Sequence, residues 1–492
     1  MKNFLVLSLG ILFILVGCNQ TGEAPPTPTP PPTPTITPTP ELIITPTPKN
    51  VDSCGANPFD DQPDSDAIQN CINQARSGDT VVFTSGGGSS EYRGYIIDKT
   101  IFLIHPFVKN DLTFTSTDPD DHALLIASPN LLGFVVQLYA RSQLSHEDQF
   151  NNIKIQSLDL DGNRAERICY GDDEIKNGVD DNWGSWLPEC DQFNDAWCTA
   201  GTLAMRGTSK VAGLVLQDIT ITNTECGTAL EYYGAEGMID SIVVDTAGDH
   251  VHGDGCQQTD PDESIGAWSD GITFAGWGNV ITNNTIINAS DIGIVCFGCT
   301  DTTIANNTII AESGNNGMFA GIALHPYWNG DFSGITVSDN LVINNADENC
   351  GGIHAGINLG NHMWHAGCEE HPEASAIGTI GTCTSISPPP GGTYCDPNQP
   401  CRTWGYIPAG ETLKLTNNTV TGAQVSFLIE GVEVAGELIV DGNISETPRM
   451  TDWQGDRNCT RDGISDNWGV LDFVAHDPTI EGWIDQRIYC TR

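Results

Sequence analysis

Two aspartates mark the place where this sequence could do chemistry. Asp270 and Asp291 stand 21 residues apart, close to the interval at which the surrounding chain repeats itself. Gly271-Ile272-Thr273-Phe274 leads to Asn283-Asn284-Thr285-Ile286, and Gly293-Ile294-Val295-Cys296 leads to Asn306-Asn307-Thr308-Ile309. The Gly marks lie 22 residues apart and the Asn-Asn marks 23. A period of this size means stacked units, each unable to bury its own apolar face. Asp270 and Asp291 therefore fall on neighbouring coils. Two carboxylates across a sugar bond equip glycoside hydrolysis, one as acid and one as base or nucleophile. The plainer alternative is that both are corner residues bonding backbone N–H groups.

Aligning the coils on their Gly sorts the rest. Ile272, Ile294, Ile322 and Ile357 form one column, and Phe274, Cys296, Leu324 and Leu359 another. These point inward, so the positions between them point outward. One outward column holds Glu231, Phe297 and His325, and a second holds Ser269, Asp291, Phe319 and His354. Strict alternation turns Asp270 inward, against Asp291. Glu231 and His325, three coils apart, stand roughly 14 Å from each other at ~4.8 Å per coil, and are expected to assist from the groove rather than touch. His supplies a base near neutral pH. Trp268, Trp328 and Trp364 offer flat apolar faces to a sugar ring, and His354 and Asn358 complete the expected substrate-binding set. A structural hydrogen-bonding role is the alternative for each His. His250, His252 and Asp254 open an insertion, and their spacing specifies no metal.

From Val211 to Cys401 there is neither Lys nor Arg. Lyases and epimerases acting on polyuronates must neutralise a carboxylate and stabilise an enolate-like charge. A hydrolase of neutral sugars needs only carboxylates, His and aromatics, and no cofactor. Calcium is the one candidate ion, since it would supply the charge a lyase lacks. Asp-rich loops such as Asp180-Asp181-Asn182 could hold it, but read equally as Asx turns. The chain has 64 acidic and 20 Lys or Arg residues, a net charge of −44, which excludes nucleic acid and anionic lipid as general partners. A polysaccharide is the expected partner, and a calcium-dependent lyase and a non-catalytic glycan-binding adhesin are the competing functions.

The elements that must position these residues are short β-branched runs punctuated by Gly and Asn. They recur from Gly213 to Val440, with breaks at 164–210, 251–268 and 361–402. Strands this short, one coil per ~22 residues, build a solenoid of parallel sheets. Asn284 and Asn307 then occupy one corner of successive coils, where their amides bond up and down the stack. Asn340, Asn418 and Asn443 are candidates for the same ladder.

Residues 1–17 form an apolar leader behind Lys2, too short to span a membrane. Residues 18–51 are Pro- and Thr-rich, and the 28 residues Glu23–Asn50 would extend roughly 85 Å as polyproline II at ~3.1 Å each. Residues 52–492 are the folded domain. Of 17 cysteines, all but Cys18 make an even set that reads as disulfides in an exported chain. Near neighbours are the natural pairs: Cys54 with Cys71, Cys350 with Cys368, Cys459 with Cys490. Cys296 and Cys299 have CxxC spacing, but no second CxxC supports a zinc site.

Two resemblances follow from these residues. Leu15-Val16-Gly17-Cys18 resembles a bacterial lipoprotein processing site, which implies cleavage before Cys18, a lipid on its sulfur and display at the bacterial cell surface, with the membrane met only through that anchor. Asp64-Ser65-Asp66-Ala67-Ile68-Gln69-Asn70-Cys71-Ile72 followed by Gly78-Asp79-Thr80-Val81-Val82-Phe83, together with Leu158-Asp159-Leu160-Asp161-Gly162-Asn163, resembles the N-terminal part of the pectin-lyase-like superfamily. That resemblance covers most of residues 52–450 and implies an all-β, right-handed parallel β-helix with a short capping helix and long Cys-rich loops. In polygalacturonases an Asn-Thr-Asp-Gly strand is followed one coil later by Asp-Asp. Ser269-Asp270-Gly271 resembles the first and Asp291-Ile292 keeps half of the second. No His occupies the segment 314–317, and no Arg-Ile-Lys follows. The resemblance implies that the corner resets the alternation and leaves Asp270 in the cleft.

Overall fold

The chain folds as a right-handed parallel β-helix. The computed structural model describes residues 48–488 apart from 104–109, 132, 140–149, 164–201, 225–226, 249–268, 313–317, 327–329, 347–351, 361–379, 383–399, 403–404, 424, 447–469 and 476–484. Cys18, the leader, Trp268, Trp328, Trp364, the 250–254 cluster, the Asp180–Asn182 loop and the pairs Cys350/Cys368 and Cys459/Cys490 lie outside these residues.

Three ladders of parallel strands wrap one core. In the first, Lys154–Asp161, Val215–Thr224 and Met238–Ala247 are followed by Val280–Thr282, Thr303–Ala305, Thr336–Ser338, Thr412–Thr416 and Glu437–Asp441. In the second, the far ends of the long strands continue into Thr285–Ala289, Thr308–Ala311, Leu341–Asn344, Thr419–Thr421 and Ile444–Glu446. The third runs through Leu203–Ala212, Leu230–Ala235, Ile272–Trp277, Ile292–Thr300, Met318–His325, Ile353–Gly360 and Val425–Val434. The core columns have the expected register, Ile272↔Ile294↔Ile322↔Ile357 and Phe274↔Cys296↔Leu324↔Leu359, and all eight are buried in one cluster. The break expected at 164–210 is shorter, because Leu203–Ala212 is a strand bonded to Val136–Tyr139 and Leu230–Ala235. Its sequence carries no Asn and little Gly to punctuate it, so the repeat does not reveal it.

Each Asn-Asn pair divides its work at the corner between the first two ladders. Asn283, Asn306 and Asn417 take left-handed backbone, with φ of 57°, 57° and 56°, a conformation Asn tolerates better than other side chains. The second Asn turns inward and is buried. Asn284 Nδ2 donates to Asn307 Oδ1, Asn307 to Asn340, Asn340 to Asn418 and Asn418 to Asn443, each at 2.9 Å. The ladder thus takes in every Asn expected of it.

Among the described residues one α-helix occurs, Ser65–Gln74. Its apolar side, Ile68, Cys71 and Ile72, joins the core at the N-terminal end, as a cap on an open stack requires. The Cys54–Cys71 disulfide ties it to the preceding turn across 17 residues of sequence. Cys296 and Cys299 are bonded to each other inside the core.

Candidate active site

The outer face of the third ladder holds the candidate residues, and the Gly column decides which way they point. A Cβ added at Gly271 would run into Ile286 and the Gly293 carbonyl, and one at Gly293 into Ile309 and the Gly321 carbonyl. Ile286 and Ile309 are core residues. The chain therefore spends two consecutive positions, Gly271 and Ile272, on its inner side, and alternation restarts. This corrects the inward orientation that strict alternation gives Asp270. The residues stacked on Asp270 confirm the reset: Ile292, Ala320, Ala355 and Val425 belong to a separate apolar cluster with Val295, Ala323 and Leu428, outside the main core. Asp270 faces outward with them.

Asp291 follows on the next coil, its N–H bonded to the Ser269 carbonyl at 3.0 Å. By register Asp270 stands beside Ile292 and Asp291 beside Ser269, so the two aspartates are diagonal neighbours. Their Cα atoms are roughly 6 Å apart, given ~4.8 Å between strands and ~3.3 Å along them. Asp270 is 7% exposed and Asp291 9%. Asp270 Oδ2 accepts from Thr273 Oγ1 at 2.5 Å, and Oδ1 accepts from the Ile292 N–H at 3.2 Å. Burial raises the Asp270 carboxyl to about 7, against the lowering effect of those two donors, and the Glu231 charge adds to the rise. Burial also lifts Asp291 well above the carboxylate range, and the neighbouring Asp270 charge lifts it further. Two like charges this close in a buried site do not both ionise easily, so the pair retains a proton near neutral pH.

Glu231 lies one coil before Asp270, but two residues from the place the Gly alignment gives it. Leu230, not Thr228, pairs with Ile272, so Glu231 stands beside Thr273, in the row that continues through Val295, Ala323 and Asn358. Ala229 does the work of Gly271, since a small side chain suffices there. A slip of two keeps the outward face, which is why Glu231 still reaches the site. It also removes Glu231 from the column of His325. His325 pairs with Phe297 two positions further along the strand, its ring edge-on to that of Phe297 at 5.8 Å, and is fully buried. The structure thus gathers Glu231, Asp270 and Asp291 and keeps His325 apart. Half-buried His354 sits beside Phe319, which sits beside Asp291, two coils or about 10 Å from the pair. Asn358, buried on the same face, donates from Nδ2 to the Leu428 carbonyl at 3.3 Å.

Ser269 Oγ, Asp291 Oδ1 and Asn358 Oδ1 are buried polar atoms with no hydrogen-bond partner among the described residues. All three belong to this one face. The role of Thr273 was not read from the sequence. The Asp-Gly-x-Thr spacing of Asp270 and Thr273 was the available signal. Among the described residues no group of three or more His, Cys, Asp or Glu converges to hold a metal ion, so no calcium step is derived.

No family model matches the sequence, and no curated protein matches it. Solved structures do. An exopolygalacturonase from Thermotoga maritima is 10% identical with a TM-score of 0.48, covering 90% of this chain and 95% of its own. A surface protein and adhesin of Streptococcus pneumoniae, PfbA, is 12% identical with a TM-score of 0.40, covering 87% and 100%. The ORF18 protein of Geobacillus virus E2 is 9% identical with a TM-score of 0.36, covering 84% of this chain, which spans 62% of that protein's length.

Proposed function

We propose that this protein is a glycoside hydrolase acting on an extracellular polysaccharide, exported and held at the bacterial cell surface by a lipid on Cys18. The observation that carries the activity is the pair of buried carboxylates on neighbouring coils, both raised above the ordinary carboxylate range by burial. Glycosidic hydrolysis needs one carboxyl protonated while its neighbour is ionised. One aspartate gives its proton to the leaving oxygen as the C1–O bond breaks. The other draws water onto C1, or attacks C1 itself before water follows. Glu231 sets the charge around them. Trp268, Trp328, Trp364, His354 and Asn358 are the groups proposed to hold the glycan. The absence of Lys and Arg from Val211 to Cys401 favours a neutral sugar over a uronate.

The test is a polysaccharide screen with two readouts, new reducing ends and ultraviolet absorbance of unsaturated products, repeated with Asp270→Asn and Asp291→Asn. Hydrolysis gives reducing ends without absorbance, and each substitution lowers the rate by about 10²- to 10⁴-fold. Absorbance would make the protein a lyase. Binding with no new reducing ends would make it an adhesin.

A further inference from the structure

Asp270 and Asp291 share a cluster but not the same bonding. Both oxygens of Asp270 meet donors, the Thr273 hydroxyl at Oδ2 and the Ile292 N–H at Oδ1. Asp291 Oδ1 is buried and meets no partner among the described residues. Donors favour the ionised carboxylate. Thr273 is itself 3% exposed, and its oxygen lies 3.3 Å from Thr228 Oγ1. A proton given by Thr228 to Thr273 Oγ1 fixes the Thr273 hydroxyl as donor to Asp270.

We propose that Thr273 is a positioning residue that decides which of the two aspartates carries the proton. Its hydroxyl keeps Asp270 ionised, as the group that takes a proton from water, and leaves Asp291 to protonate the glycosidic oxygen. In that step the C1–O bond breaks, the leaving oxygen takes the Asp291 proton, the water oxygen bonds to C1, and the water proton passes to Asp270. The chemistry rests on the hydrolase reading above, whereas the order of ionisation is a property of the free protein. The groups that bear on it are Glu231 and Tyr233 on the preceding strand and Asp291 on the following coil. The strands Ile272–Trp277 and Ile292–Thr300 carry no other ionisable side chain apart from the bonded Cys296 and Cys299.

Thr273→Val keeps the shape and removes the hydroxyl, and Thr273→Ser restores it. Carboxyl titration of the full chain by carbon-13 NMR, with Asp carboxyls labelled and Asp270→Asn and Asp291→Asn used for assignment, gives the order directly. In the wild type Asp270 ionises first. The Val variant moves Asp270 up by about one pH unit, and the Ser variant leaves it near the wild-type value. On a substrate found by the screen, the acidic limb of kcat/KM moves by the same amount, so that the rate at a pH below the limb falls about tenfold. An unchanged Asp270 titration in the Val variant, or Asp291 ionising first in the wild type, overturns the proposal. Failure of every glycan to react overturns only the hydrolase reading, and the titration still decides the role of Thr273.

Discussion

Replacing Asn307 by alanine removes four side-chain hydrogen bonds at once. Asn307 Oδ1 accepts from the Asn284 N–H at 3.0 Å and from Asn284 Nδ2 at 2.9 Å. Its Nδ2 donates to the Ile281 carbonyl and to Asn340 Oδ1, each at 2.9 Å. Two of the partners keep a second bond: Asn284 Nδ2 still donates to Ile239, and Asn340 Oδ1 still accepts the Asn307 N–H. The Asn284 N–H does not, and is left buried. One orphaned donor costs about 1–3 kcal/mol, and each of the other three bonds lost about 0.5–1.5 kcal/mol, so the expected destabilisation is about 3–7 kcal/mol. Asn283→Ala is the control. It is exposed, loses one bond to Asp240 and places alanine at φ 57°, which costs about 1–2 kcal/mol. Urea unfolding followed by circular dichroism measures both, and hydrogen exchange at the Asn284 amide reads the orphan locally. If Asn307→Ala stays within about 0.5 kcal/mol of wild type and the Asn284 amide exchanges no faster, the ladder does not hold the corner.

Two further outcomes follow from ionisation. Asp270 has its folded-state carboxyl raised to about 7 from 3.8, so the folded protein holds a proton that the unfolded chain has already lost. Its contribution to stability is full below about pH 4, falls as pH rises to about 7, and is level beyond. Asp270→Asn is accordingly expected to raise the melting temperature at pH 8 relative to wild type and to leave it nearly unchanged at pH 4. His122 follows the same direction in a higher pH window. Burial alone would lower its pKa, but the bond and charge of Asp159, then those of Asp218, outweigh burial and raise it. Nδ1 meets Asp159 at 2.9 Å and Nε2 meets Asp218 at 3.2 Å. The clasp is fully present below the ordinary His value of 6.5 and is lost as pH rises through the raised one. His122→Gln should therefore be less stable than wild type at pH 6 and close to it at pH 9, measured by thermal unfolding.

The repeat made the solenoid legible because its marks are physical requirements. Asn at the corner satisfies left-handed backbone, and Asn beside it satisfies buried N–H groups, so the pair recurs wherever a coil turns. The Gly column is equally constrained on four coils, at Gly271, Gly293, Gly321 and Gly356, and it gave the core register from Ile272 to Leu359. Where the constraint relaxes, the reading slips. Ala229 fills the place of a Gly, so alignment on Gly227 misplaced Glu231 by two residues. Asp270 was turned inward for a related reason. Period-2 alternation holds along a strand, but a position that carries no side chain lets the backbone pass a corner without flipping its outer residues. Thr273 was invisible because its role depends on a hydroxyl reaching back three residues at that corner.

From Asn284 to Asn418 each amide donates one hydrogen to the Asn of the later coil and the other to a backbone carbonyl of the earlier one. Asn284 to Asn307 crosses 23 residues, whereas Asn340 to Asn418 crosses 78, yet the bond is 2.9 Å in both. Each rung is thus a standard joint, indifferent to how much chain leaves the stack between one coil and the next. A whole coil removed or duplicated between Asn284 and Asn443 brings an amide against a carbonyl oxygen again, while removal of part of a coil does not. The fold can accordingly change its length and its loops by units, and where the change falls after Asn307 the two aspartates stay on adjoining turns.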